Sequence, residues 1–122
     1  MKRTFGLFFV LGALLLVSTA SQAQSFDCQK AGTPTEHAIC NSRALSNLDM
    51  KMGTLYGVLQ QLPMLMGARG DQTDAAQAFL TKRNACGADA SCLTDAYQAR
   101  NEAMETTIKD AMQDYCKAIE LC

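Results

Sequence analysis

Residues 42–63 read Ser-Arg-Ala-Leu-Ser-Asn-Leu-Asp-Met-Lys-Met-Gly-Thr-Leu-Tyr-Gly-Val-Leu-Gln-Gln-Leu-Pro. Leu45, Leu48, Met52, Leu55, Tyr56, Leu59 and Leu62 recur at three- and four-residue steps, which puts them on one face of an α-helix. Ser42 carries the hydroxyl that an N-cap needs. Pro63 lacks an N–H and its ring clashes with the preceding turn, so the helix stops before it. A helix with one apolar face has to bury that face against other elements, and no segment of the chain shows the two-residue alternation of a strand. The pattern predicts an all-α protein.

The same reading extends outward. Upstream, Thr33-Pro34-Thr35-Glu36 is a capping box: Thr33 accepts from the N3 amide, Pro34 loses nothing at N1, and Glu36 reaches back to the cap. A short helix follows to about Cys40. Downstream, Met64 to Gln72 holds two glycines and no sustained period, which reads as a loop. Asp71 or Thr73 would then cap a third helix running to about Ala85. Leu93, Ala96, Tyr97, Arg100, Met104, Ile108, Ala111, Tyr115 and Ile119 form one stripe of a final helix about 40 Å long. The expected architecture is a bundle of about four helices with a long C-terminal one.

At the start of the chain, Lys2 and Arg3 precede an apolar run from Phe5 to Val17, and Ser21-Gln22-Ala23 offers small residues at a signal-peptidase site. The run is too short to span a bilayer, which takes about 20 residues. Residues 1–23 therefore read as a cleaved signal and 24–122 as one helical domain, exported to the periplasm or secreted, with no stable membrane insertion afterwards. Six cysteines, Cys28, Cys40, Cys86, Cys92, Cys116 and Cys122, all lie beyond the cut, as suits an oxidising compartment. They allow 15 pairings; spacings of 12, 6 and 6 favour neighbours. A Cys116–Cys122 bond requires the last helix to stop near Ala118–Glu120 and fold back. In a continuous helix the two would lie about 9 Å apart along the axis, beyond the reach of a disulfide. Otherwise Cys122 pairs with Cys28 or Cys40, or stays free to dimerise the protein.

Loss of Lys2 and Arg3 with the signal leaves nine Lys and Arg against twelve Asp and Glu, a charge of −3. That argues against nucleic acid and anionic membranes, which reward a basic face, and favours a basic partner. Catalytic chemistry finds little to work with. His37 is the sole histidine, no thiol is spare, and nothing resembles G-x-S-x-G. The chain reads as a non-enzyme with no cofactor and no metal. Met50-Lys51-Met52 and Met64-Leu65-Met66 offer soft thioethers, so a soft-metal or small-ligand carrier is a further reading. Met50 and Met52 diverge by about 200° on a helix, however, and Met52 belongs to the apolar stripe. Gly53 and Gly57 lie on the helix where a neighbouring helix can approach. Asp49, Arg83 and Arg100 fall beside or on apolar faces, and a structural ion pair between Asp49 and one of the arginines is expected.

Five stretches together resemble one family. They are Ser25-Phe26-Asp27-Cys28, Thr33-x-x-Glu36-x-x-Ile39-Cys40, Leu48-Asp49-x-x-Met52-x-x-x-Tyr56, Phe79-Leu80-x-x-Arg83-x-x-Cys86 and Cys92-Leu93-x-x-x-Tyr97-x-x-Arg100. Their order and spacing are similar to the LprI-like lysozyme-inhibitor N-terminal domain family, over Ser25 to Met104. Phe79 and Ala76 stand where the family has tryptophan and glutamine, and Cys116 with Cys122 is an addition to its four-cysteine core. The resemblance implies an exported helical domain and, as attributed to some members, inhibition of lysozyme. A basic lysozyme or another envelope protein is the implied partner. The projecting Met64–Gln72 loop, with Met64, Met66, Arg69 and Asp71, would be the contact, Arg69 reaching a carboxylate in the lysozyme cleft. A cell-envelope interaction module, binding through the exposed part of the long helix, is the alternative.

Overall fold

The structure, a computed structural model, describes residues 25–120 and 122; the expected signal at 1–23 lies outside the described residues. After a single 3-10 turn at Cys28–Lys30 come four helices, α1 (Pro34–Asn41), α2 (Arg43–Gln61), α3 (Met66–Ala85) and α4 (Ala90–Ala118). Among the described residues there is no strand.

The starts of α1, α2 and α4 follow the residues that can satisfy free amides. Thr33 accepts from Glu36 N, while the Glu36 carboxylate accepts from Gly32 N at 2.8 Å and Thr33 N at 3.0 Å. The Gly32 amide is the main influence holding the Glu36 carboxyl below its ordinary range, against a smaller opposing effect of burial. Ser42 ends α1 and caps α2, accepting from Leu45 N, and Asp89 caps α4 through Cys92 N. Gly87, at φ 57°, takes the left-handed turn between α3 and α4, where a Cβ would be strained.

Helix α4 packs chiefly on α2, with α1 also against α2 and α3 against α4. Ile39, Leu45, Phe79, Leu93, Ala96 and Tyr97 form the core, and Phe26, Leu48, Met52 and Leu80 pack around it. Phe79 and Tyr97 meet edge to face, centroids 5.2 Å apart. Disulfides join Cys28 to Cys40, Cys86 to Cys92 and Cys116 to Cys122, with Cα separations of 5.8, 5.6 and 5.5 Å. Each closes a short loop, worth about 2–3 kcal/mol in the chain-entropy account.

Asp49 is fully buried, and its partners are not the expected arginines. Its carboxylate accepts from Tyr97 OH at 2.7 Å, Ser25 N at 2.6 Å and Ser25 Oγ at 2.8 Å. Burial, then the Asp49 contact, pushes the Tyr97 hydroxyl well above its ordinary pKa, and nearby Arg83 opposes the shift. Arg83 itself donates through Nε and Nη2 to Asn84 Oδ1 and lies over the Phe26 ring at 5.9 Å. No ion pair joins Asp49 to Arg83 or Arg100 among the described residues. The physical reason is economy of desolvation: hydroxyl and amide donors satisfy the carboxylate without a second charge being stripped of water. Gly53, expected to admit a helix, instead faces Ser25, whose Cβ would lie 3.5 Å from an added methyl, and Gly57 meets nothing.

The α2–α4 surface pair Lys51–Glu105, at 2.7 Å, is about half exposed on both sides and contributes about 0–1 kcal/mol. The buried contact therefore dominates the register of these two helices. Asp49→Ala is expected to lower unfolding free energy by about 3–5 kcal/mol, and Tyr97→Phe by about 1–2 kcal/mol, measured by urea denaturation. An Asp49→Ala variant within about 0.5 kcal/mol of the parent would contradict this assignment.

Candidate functional site

Helix α4 has 29 residues against 19 in α2 and 20 in α3. At 1.5 Å per residue it reaches about 43 Å, so its C-terminal part outruns the helices that cover its first half. The stripe splits accordingly. Leu93, Ala96, Tyr97 and Met104 are buried, whereas Ile108 and Ala111 are half-buried and Tyr115 and Ile119 exposed.

The α2–α3 corner closes one side of this open stretch. Leu62 N bonds to Leu59 O, Pro63 stops α2, and α3 begins at Met66 with Leu65 at its N-cap. The expected loop from Met64 to Gln72 is thus mostly helix, and neither Asp71 nor Thr73 is its cap. Thr73 Oγ1 donates inside the helix to Arg69 O. Two glycines early in a helix cost about 1 kcal/mol each, which is why the stretch reads as a breaker. Arg69 supplies the compensation. Its Nη1 donates to Gln60 O at 3.0 Å and its Nη2 to Leu62 O at 3.2 Å, satisfying the last carbonyls of α2 with a cation. Arg69 is therefore committed within the chain and does not project toward a partner. Asp71 is exposed on the helix surface, and Met64 is half-buried.

Between corner and long helix lies an open groove of about 530 Å³, with Pro63, Leu65 and Ala68 on one wall and Asp110, Asp114 and Tyr115 on the other. Of its lining, Leu65 is 85% exposed and Tyr115 is exposed as well; Met66, Met112 and Ile119 are exposed apolar residues at adjoining positions of the chain. Asp110 and Asp114 give the groove a negative rim; the solvated Lys117–Asp114 contact at 4.0 Å does little to offset it. Below the groove, α4 ends at Ala118 and Glu120 turns back with φ 55°, so that Cys122 reaches Cys116.

The other candidate residues lie apart from this groove. His37 is exposed on α1. Met50 is exposed while Met52 packs on the core, so that Met-x-Met unit splits between solvent and interior. Among the described residues no group of three or more His, Cys, Asp or Glu side chains is placed to hold a metal, and no helix is long and apolar enough to cross a membrane. Arg100 borders a separate cleft against Met52, Tyr56 and Phe79.

With this geometry in view, the chain can be set beside known proteins. The chain is similar to lipoprotein LprI. The LprI proteins of Mycobacterium tuberculosis and Mycobacterium bovis are each 34% identical to it over 87 residues, covering 68% of this chain. The chain spans 42% of the length of these relatives. No family model matches it, and no solved structure does.

Sequence reasoning anticipated the exposed part of the long helix but missed the groove, because the α2–α3 corner that walls it reads as a loop. The unused signal was Asp110 and Asp114 flanking the stripe at Ala111 and Tyr115. Arg69→Ala is expected to fray the start of α3. Amide exchange of residues 66–70 should accelerate at a global cost of about 1–2 kcal/mol. Unchanged exchange there would show that the corner holds without the guanidinium.

Proposed function

We propose that this is an exported inhibitor-type binding module that docks a basic lysozyme through the acid-rimmed groove between the α2–α3 corner and the end of α4. The observation that carries the reading is the exposed apolar surface of Leu65 and Tyr115 set beside Asp110 and Asp114 in one groove. Apolar anchors ringed by charge complementary to the partner are what a protein-docking surface requires. The charge of −3 after signal removal would steer a basic partner, the similarity to LprI supports the same class, and three disulfides suit the oxidising compartment beyond the membrane. Docking by this groove replaces insertion of Arg69, which is held by the α2 carbonyls. The same surface also supports the broader reading of an envelope interaction module whose partner is another basic protein.

The test is digestion of bacterial cell walls by lysozyme with and without the purified exported chain. Slowing at equimolar ratio is expected. The double variant Asp110→Lys, Asp114→Lys should weaken the effect about tenfold or more, with the fold intact by circular dichroism. No slowing at large molar excess would remove lysozyme as the partner and leave the broader reading. Inhibition undiminished in the double variant would remove the groove.

A further inference from the structure

The Cys116–Cys122 bond differs from the other two disulfides in what surrounds it. Cys86 packs against the core and fully buried Leu93 follows Cys92, while fully buried Ile39 adjoins Cys40. Beyond Met104 no described residue is buried; Cys122 is exposed and Cys116 half-buried. A disulfide resists reduction in proportion to the folded structure that keeps its two thiols together. The bond with the least structure behind it therefore gives way first.

The loop closed by this bond also carries backbone strain. Glu120 sits at φ 55°, the left-handed region where a Cβ crowds the following carbonyl, and it is the one non-glycine residue there among those described. In the Cys86–Cys92 loop the left-handed position is Gly87, which has no Cβ to strain. Opening the Cys116–Cys122 bond lets Glu120 relax. The bond also adjoins the groove: Tyr115 and Ala118 line it, and Cys116 lies between them in the last turn of α4. Beyond that turn, the amides of Ile119 and Glu120 bond back to Tyr115 O and Lys117 O.

We propose that Cys116–Cys122 is a redox latch on the groove. Joined, it holds the wall formed by Tyr115 and Ala118; reduced, it frees the last turn of α4 and that wall is lost. The reductant is a dithiol. One of its thiolates attacks Sγ of exposed Cys122, forming a mixed disulfide and expelling Cys116 as a thiolate. Its second thiolate then displaces Cys122 and closes the reductant's own disulfide. Two electrons and two protons pass from the dithiol to the protein, which is left with two thiols. The consequence for docking rests on the groove as the binding surface; the latch itself does not.

The experiment holds the folded exported chain in mixtures of reduced and oxidised dithiothreitol, traps free thiols with N-ethylmaleimide and maps them by mass spectrometry. Cys116 and Cys122 are expected to be labelled together, at a reduced-to-oxidised ratio about tenfold or more below that which opens either other bond. In this singly opened protein, amide exchange of residues 112–118 should accelerate about tenfold or more, while residues 93–104 keep the parent's rates. Lysozyme affinity, measured after the thiols are blocked and the reductant removed, should fall about tenfold. The double variant Cys116→Ser, Cys122→Ser should reproduce both effects without reductant. Earlier or simultaneous opening of either other disulfide overturns the proposal, as does unchanged exchange at 112–118 after selective opening. Undiminished lysozyme affinity of the opened protein overturns the link to docking. If the oxidised protein does not bind lysozyme at all, the lysozyme reading falls instead, and the thiol map and exchange rates still decide the latch. Should the double variant fail to fold, the selectively opened parent decides it.

Discussion

A fully buried carboxylate is tolerable only when enough donors converge on it to replace water. Asp49 meets that condition with three contacts, two from Ser25 and one from Tyr97. The consequences reach well beyond the residue. Ser25 draws the N-terminal segment over Gly53, which sets Phe26 beneath Arg83 and brings Cys28 to Cys40. Tyr97 fixes α4 against α2 and meets Phe79 on α3 edge to face. Neighbouring polar contacts repeat the theme, Asn101 donating to Leu48 O and Ser46 to Ile39 O. Directional bonds thus position a core too small to do so by apolar packing alone.

This arrangement divides the molecule along α4. Its first half is held by buried contacts and by the Cys86–Cys92 bond at its start. Its second half is held by little except its own hydrogen bonds, the corner beside it and the Cys116–Cys122 bond at its end. That last staple serves a part of the chain with almost no core, where fraying would otherwise be expected. A held but uncovered helix face offers apolar side chains to a partner at low ordering cost, the physical condition for a pre-organised docking surface.

What the sequence disclosed depended on how local the determining physics was. The capping box at Thr33, the stop at Pro63 and the reversal beyond Ala118 are governed by residues within a few positions, and each was legible. The beginning of α3 was not, because Gly67 and Gly70 speak for a loop and the opposing contact, Arg69 to the end of α2, is tertiary. Asp49 was recognisable as an acid beside an apolar stripe. Its partners were misjudged because charge is visible in a sequence while a tyrosine hydroxyl or a serine amide 24 residues away is not. The corner that walls the groove is likewise a fact about neighbours, whereas the uncovered end of α4 was legible from the length of its stripe.

The central claim is that a scaffold fixed by the Asp49 contacts presents the groove beside the end of α4 to a basic protein. Hydrogen exchange followed by mass spectrometry, with and without saturating lysozyme, maps that surface directly. The account predicts new protection in residues 62–68 and 107–118, with the slow exchange around Tyr97 unchanged. Protection confined to α1 or to the outer face of α3, with none at the corner and the end of α4, would contradict it.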